Sequence, residues 1–292
     1  MQILTRPIGL AVLFWASLAF AADAPEYRVV EPPKSWNFSP FYQKCILVDG
    51  LPIVASDKVS DYALKEAAYL IGKMLEGRRD VIEALVKNKV RVAIIGYSER
   101  TCDVPEHSDL TPSSFWNKRA RGLGATTDRP ATSCGEENLL CYPGDPYHAE
   151  NILIHEFAHT LADMGLVSID PKFDDRLEAT YQSAMKKGLW KGKYAATNRH
   201  EYWAEAVQSW FDTNRPPDHD HNDVDTREEL KAYDPDIYAL IDETFPDKSY
   251  RYVRPDQRKE PGHLAGYDPK TAPKFAWTDE EKAAALKKEP SR

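Results

Sequence analysis

Positive charge is in short supply in this chain. Its 292 residues hold 38 Lys and Arg against 46 Asp and Glu, a net charge of −8. No basic tract and no stripe of basic and aromatic residues occurs, so no nucleic-acid partner is expected: the electrostatic footprint of a duplex binder is missing. Internal repeats are absent, which excludes a solenoid or propeller. Beyond the N-terminus, no apolar stretch reads as long enough to cross a bilayer, so no stable membrane span is expected in the mature chain. Cysteine is scarce, and none of it forms a C-x-x-C pair, which removes the usual spacing of a cysteine zinc site.

What is present begins with a leader. Met1–Arg6 carries a positive charge, residues 8–20 are apolar, and Ala19-Phe20-Ala21 is an A-x-A cleavage pattern. The apolar run is too short for a comfortable span, and Asp23-Ala24-Pro25 follows at once. Residues 1–21 therefore read as a signal peptide, cut after Ala21 or Ala22, rather than as an uncleaved anchor. The mature chain is expected to be secreted or periplasmic. About 270 residues then remain, enough for one large domain or two small ones. Four cysteines in an exported chain point to two disulfides with three possible pairings. Cys134 and Cys141 enclose a short loop and are expected to pair, leaving Cys45 with Cys102 by elimination.

Hydrophobic spacing divides the chain further. Residues 22–44, rich in proline and aromatics, read as an extended arm. Residues 45–250 carry the regular elements, and 251–292 read as a polar, mobile tail with a short helix near 279–287. Asp49-Gly50 between two apolar runs, 46–48 and 51–54, is a hairpin turn. Helices are expected over 58–76 and 80–88, and a buried strand over 90–95. Residues 97–144 lack long periodic elements. Within them, residues 119–126 read either as an ordinary loop or as a glycine-containing edge strand. As a strand, Arg121, Gly122, Leu123 and Gly124 would bind an extended peptide by strand addition. Later helices are expected over 174–187 and 199–212, from the Thr226–Glu229 capping box, and from Pro235 to about Glu243.

The densest chemistry lies in His155-Glu156-Phe157-Ala158-His159. Residues four apart on a helix share a face one turn apart, so His155 and His159 can present two imidazole nitrogens to one metal ion. Glu156, on the rim of that face, can reach a water polarised by the ion and take its proton. Asp145 as N-cap, Pro146 at the first turn and Gly165 as a stop predict one helix over 146–164. The bland alternative is a polar face, but two histidines and a glutamate on a buried helix all need partners, and a metal supplies them.

A catalytic zinc ion takes three protein ligands and leaves one position open. The metzincin continuation fails, because Ala162 stands where glycine is needed and Gly165 where histidine is needed. The third ligand must come from elsewhere. On the helix starting at Arg199, Glu201 and Glu205 share a face, while His200 points about 100° away from Glu201. Glu201 is the leading ligand, with Glu205 and His200 as rivals, and with a capping role from Asn198 as the bland reading of Glu201. Glu205 would accept a hydrogen bond from a ligand histidine. Residues 218–229 imitate a calcium loop, but Asp223 stands where glycine is required and two prolines replace the entering helix, so a solvated acidic loop is the better reading.

Residues 155–159 together with Tyr194-Ala-Ala-Thr-Asn-Arg-His-Glu201-Tyr-Trp-Ala-Glu205-Ala resemble the catalytic domain of the anthrax toxin lethal factor-like metallopeptidases, a group that includes secreted Pro-Pro endopeptidases. The likeness covers about a quarter of the mature chain and is only organisational before it. It implies Glu201 as third zinc ligand and Tyr194 as donor to the oxyanion of the tetrahedral intermediate. From the residues alone, Tyr194 would read as a loop aromatic packing on Trp190. The 97–140 region has no counterpart in that family, so the proline preference of some members does not carry over. The resemblance implies an α+β, zincin-like fold: a small twisted mixed sheet with helices, a mostly helical lower part, and an active-site cleft between them. It implies one catalytic zinc ion and an extended peptide or protein substrate. Two other readings stand beside it: a zinc hydrolase of a non-peptide, cell-wall type amide, and a non-catalytic binding module on a zincin scaffold.

Overall fold

The computed structural model describes residues 27–284 of the chain. The leader assigned to residues 1–21 lies outside the described residues. Strands β1 (Lys44–Val48) and β2 (Leu51–Ala55) form the expected hairpin. Asp49 and Gly50 both take positive φ, 48° and 96°, as a two-residue turn of that hand requires. Helices α1 (Asp61–Met74) and α2 (Arg79–Lys87) lead to β3 (Arg91–Ile95). Ser60 caps α1 through its hydroxyl, so the helix starts three residues later than the expected 58.

The region without periodicity holds α3 (Ser113–Arg119), β4 (Gly122–Leu123), β5 (Ala131–Gly135) and α4 (Glu136–Leu139). β5 completes the sheet, whose order is β1-β2-β3-β5-β4. β1 and β4 are antiparallel to their neighbours, and β2, β3 and β5 run parallel. Every residue of β5 is buried. Its polar composition (Ala, Thr, Ser, Cys, Gly) hides it from a hydrophobicity reading, because the hydroxyls are satisfied internally: Thr132 by Thr160, and Ser133 by His107.

Both faces of the sheet are covered. Ile46, Ile53, Val92, Ile94 and Cys134 face α1, α2 and the helix that follows β5. Cys45, Val54, Ala93, Ile95 and Ala131 face Tyr42, Phe38 and Phe41 of the N-terminal arm. This geometry overturns both expected disulfides, and all four cysteines are free. Cys45 and Cys134 are buried on opposite faces. Cys141 lies past α4 beside Arg254 and Asp256, where burial pushes its thiol up to about 12. Cys102 sits near the carbonyls of Leu110 and Ser113.

The second half is helical: α5 (Ile152–Thr160), a π-helical stretch (Leu161–Leu166), α6 (Val167–Ile169), α7 (Phe173–Lys187), α8 (Arg199–Trp210), α9 (Arg227–Tyr233) and α10 (Pro235–Thr244). α5 starts later than Asp145-Pro146 implies. Asp145 accepts from the backbone of Tyr147 in a local turn, and Asn138 donates to the carbonyls of Tyr147 and Glu150. Those groups are thereby used outside a helix, and Asn151 is the cap. Gly165 does not stop the helix either. A Cβ there would come within 3.0 Å of Val81 on α2, so the glycine serves close helix packing. The continuous run Ile152–Ile169 does pass a length and hydropathy test for a span, contrary to expectation, but most of it is buried in the protein's own core.

The expected mobile tail is also corrected over its described part. Tyr252, Leu264 and Phe275 are buried, and α11 (Asp279–Ala284) follows. Arg258 and His263 both bind the fully buried Glu66 of α1. The α+β layout is present: a small mixed sheet with helices, a helical second half, and a cleft lined by residues of α3, β4, α5 and α8.

Candidate metal centre

α5 and α8 pack against each other and bring together residues 46 positions apart in the chain. Among the described residues, one group of His, Cys, Asp or Glu converges as a metal cage would: His155, His159 and Glu201. His155 Nε2 lies 3.2 Å from both His159 Nε2 and Glu201 Oε2, and His159 Nε2 lies 3.3 Å from Glu201 Oε2. A tetrahedral ion with bonds of about 2.0–2.1 Å holds neighbouring ligand atoms about 3.3 Å apart, so the triangle fits zinc.

A hydrogen bond on the far side orients the first ligand. Gln208, fully buried on α8, donates its Nε2 to Glu150 Oε2 at 3.1 Å. Its Oε1 is thereby an acceptor, 2.8 Å from His155 Nδ1. His155 then carries its proton on Nδ1 and turns the Nε2 lone pair to the cage. This is the role the sequence reading gave to Glu205. Glu205 stands farther off, 3.7 Å from His155 Nδ1, and faces His221 Nε2 at 3.5 Å. Gln208 was legible in one respect, since positions 201, 205 and 208 fall on one helix face.

The rivals for third ligand separate. His200 turns away to Asp163, 3.3 Å distant. Asn198 caps α8 through the amides of His200 and Glu201, but the Glu201 side chain goes to the histidines instead of closing a capping box. Burial pushes the Glu201 carboxyl up, yet hydrogen bonds with His155 and His159 outweigh that and hold it well below the usual range. Burial likewise lowers His155, but Glu201, Glu156 and Glu205 outweigh it and raise the imidazole to about 10.

Glu156 borders the same cage. Burial raises its carboxyl above the ordinary glutamate range, against the pull of both histidines. Tyr194 stacks over His155 at 6.4 Å between ring centroids and does not pack on Trp190 as the bland reading had it. Trp190 packs on Tyr202 and Tyr233. The Tyr194 hydroxyl meets Glu201 and the Arg119 guanidinium, and burial holds it well above an ordinary phenol.

These groups floor a cleft of about 690 Å³. Gly122 and Leu123 of β4 line one wall. A Cβ on Gly122 would come within 2.6 Å of Ile152 and 3.0 Å of Glu156, so glycine lets the strand lie on α5. Gly124 serves the same approach, with His159 Cβ 2.8 Å from its would-be side chain. Arg121 is a correction. Its side chain is fully buried, with two bonds to Glu137 and others to the carbonyls of Glu99 and Gly96, so it holds the fold and not a substrate. The lining also includes Phe115, Trp116 and Arg119 of α3, residues with no periodic signal in the sequence.

No protein-family model matches the chain, and no curated protein matches it. Solved structures that match include the Pro-Pro endopeptidase from Paenibacillus alvei, at 16% identity and a TM-score of 0.45, over 66% of this chain and 97% of that one.

Proposed function

We propose that the protein is an exported zinc-dependent endopeptidase, distantly akin to the lethal factor-like metallopeptidases. The observation that carries this reading is the convergence of His155, His159 and Glu201 at tetrahedral spacing, with Glu156 and Tyr194 beside them in one open cleft. Zinc bound there by His155, His159 and Glu201 would supply Lewis acidity toward a water and a carbonyl oxygen. Glu156 takes the proton of the attacking water and returns it to the leaving amine, a task its raised carboxyl suits. Tyr194 donates its hydroxyl hydrogen to the oxygen that gains charge at the carbonyl. The cleft lining extends beyond the cage to residues of β4 and α3, which suits an extended peptide.

The test is zinc content and peptide cleavage in wild type and Glu156→Gln. The variant is expected to keep its zinc and to lose about 10²–10⁴-fold in kcat. Wild type that binds no zinc, or a variant with full activity, sinks the mechanism. Zinc binding without cleavage of any peptide in a random library favours the non-peptide amide or the non-catalytic module.

A further inference from the structure

Helix α3 contributes Phe115, Trp116 and Arg119 to the cleft lining, yet none of its seven residues is buried. Pro112 gives it no side-chain cap. A helix this short is unstable without tertiary support, and α3 has no apolar face in the core to supply it. Its ties to the domain include the Arg119 guanidinium at the Tyr194 hydroxyl. Tyr147 donates to the Arg119 carbonyl at 2.9 Å, and Asn117 accepts from the Cys102 amide at 2.9 Å.

Further support comes from the end of the chain. Phe275 is buried, and its amide donates to the Pro143 carbonyl at 2.9 Å. Its ring meets Trp277 edge-on at 4.9 Å and lies under the guanidinium groups of Arg121 and Arg100. Trp277 in turn receives the Lys118 ammonium of α3, 4.1 Å from its ring centroid. Arg100 joins the set by donating to Glu281 of α11 at 2.9 Å, and Thr278 caps that turn: its hydroxyl oxygen accepts from the Glu281 amide at 3.2 Å, and its own amide donates to the Glu281 carboxylate at 2.7 Å. The buried Phe275 anchors the segment, and the half-buried Trp277 presents it to α3.

We infer that residues 275–281 are a positioning element for substrate: they brace α3 from behind and so hold Phe115, Trp116 and Arg119 in place along the cleft. The inference rests on the proposed peptidase reading for what the wall receives. The brace itself is independent of that reading. It acts first on the binding of substrate flanks, and α3 reaches the reacting groups through the Arg119 guanidinium at the Tyr194 hydroxyl.

The experiment compares full-length wild type, Trp277→Ala and Trp277→Phe, all loaded with zinc. Amide hydrogen exchange over residues 113–119 reads the brace, and steady-state peptide cleavage reads its consequence. In Trp277→Ala, exchange in α3 is expected to rise about tenfold while α5 and α8 keep their protection. KM is expected to rise about threefold or more, and kcat to fall by a smaller factor because Arg119 also meets Tyr194, the pattern of lost substrate binding. Trp277→Phe, which keeps an aromatic face for Lys118, is expected to restore both. Unchanged exchange in α3 overturns the brace. Raised exchange with unchanged KM, or a parallel fall in kcat and zinc content, overturns the positioning role. Failure of the functional reading is distinguishable, because it shows in wild type as zinc binding without cleavage.

Discussion

At the scale of single residues, the quality of the cage depends on an amide. Gln208 is held by Glu150 and thereby selects the His155 tautomer that can bind metal. Gln208→Ala is expected to weaken zinc binding about 10–100-fold without unfolding the protein, measured by competition with a chelating dye. The cage also makes the metal-free protein sensitive to base. His155 is raised to about 10 in the fold, so its contribution to stability is fully present below its ordinary value near 6.5 and is lost as pH rises through about 10. Glu201 is depressed, so its contribution is present above its ordinary value near 4.5 and is lost only in acid. The melting temperature of metal-free protein should therefore fall between pH 7 and pH 10 more steeply than that of zinc-loaded protein, in which His155 is already neutral. A common slope for the two forms would refute this. The residue types of the site were legible because the metal demands them at fixed helical spacing. Gln208 was less so, since a lone glutamine has many ordinary uses.

At the scale of elements, the contact of β4 with α5 sets the width of the cleft. Gly122→Ala would force a methyl group to within 2.6 Å of Ile152 and 2.8 Å of the Ser133 carbonyl. The expected result is a loss of about 1–3 kcal/mol in urea unfolding. Cleavage should also fall, because the displaced strand borders Glu156. The hairpin, α1, α2, β3, α7, α8, α9 and α10 were all readable from apolar spacing and caps, since each buries one face and ends on a recognisable residue. α3 and β5 were not, and β4 was read only as one of two alternatives for residues 119–126. β5 is central, but it is built from small polar residues whose partners come from distant segments. The start of α5 was misplaced because Asn138, thirteen residues before its cap Asn151, takes up the backbone groups that a helix from Pro146 would have used.

At the scale of the whole molecule, the C-terminal segment is part of the structure and not an appendage. Glu66 on α1 is completely buried and holds Arg258 through two oxygens and His263 through one. Arg258→Ala would leave a buried carboxylate without its strongest partner. The expected cost is about 3–5 kcal/mol of stability, seen in denaturant unfolding, with zinc affinity preserved because the clasp touches none of the cage. A neutral result would mean that the segment only rests on the domain. Its charged and proline-interrupted composition reads as disorder, because ion pairs to distant residues leave no periodic trace.

The sequence by itself determined the chemistry of the candidate site: two histidines and a base at helical spacing, and a second helix whose glutamate was the leading third ligand. That much is local, since the spacing along one helix decides which side chains share a face. Tertiary structure alone decided which of Glu201, Glu205 and His200 meets the histidines, that Gln208 and not Glu205 orients His155, that Arg121 is a buried tie, and that the cysteines stay apart. Each of these depends on how two elements are set against one another. That arrangement is fixed by packing across the whole core and not by spacing along the chain.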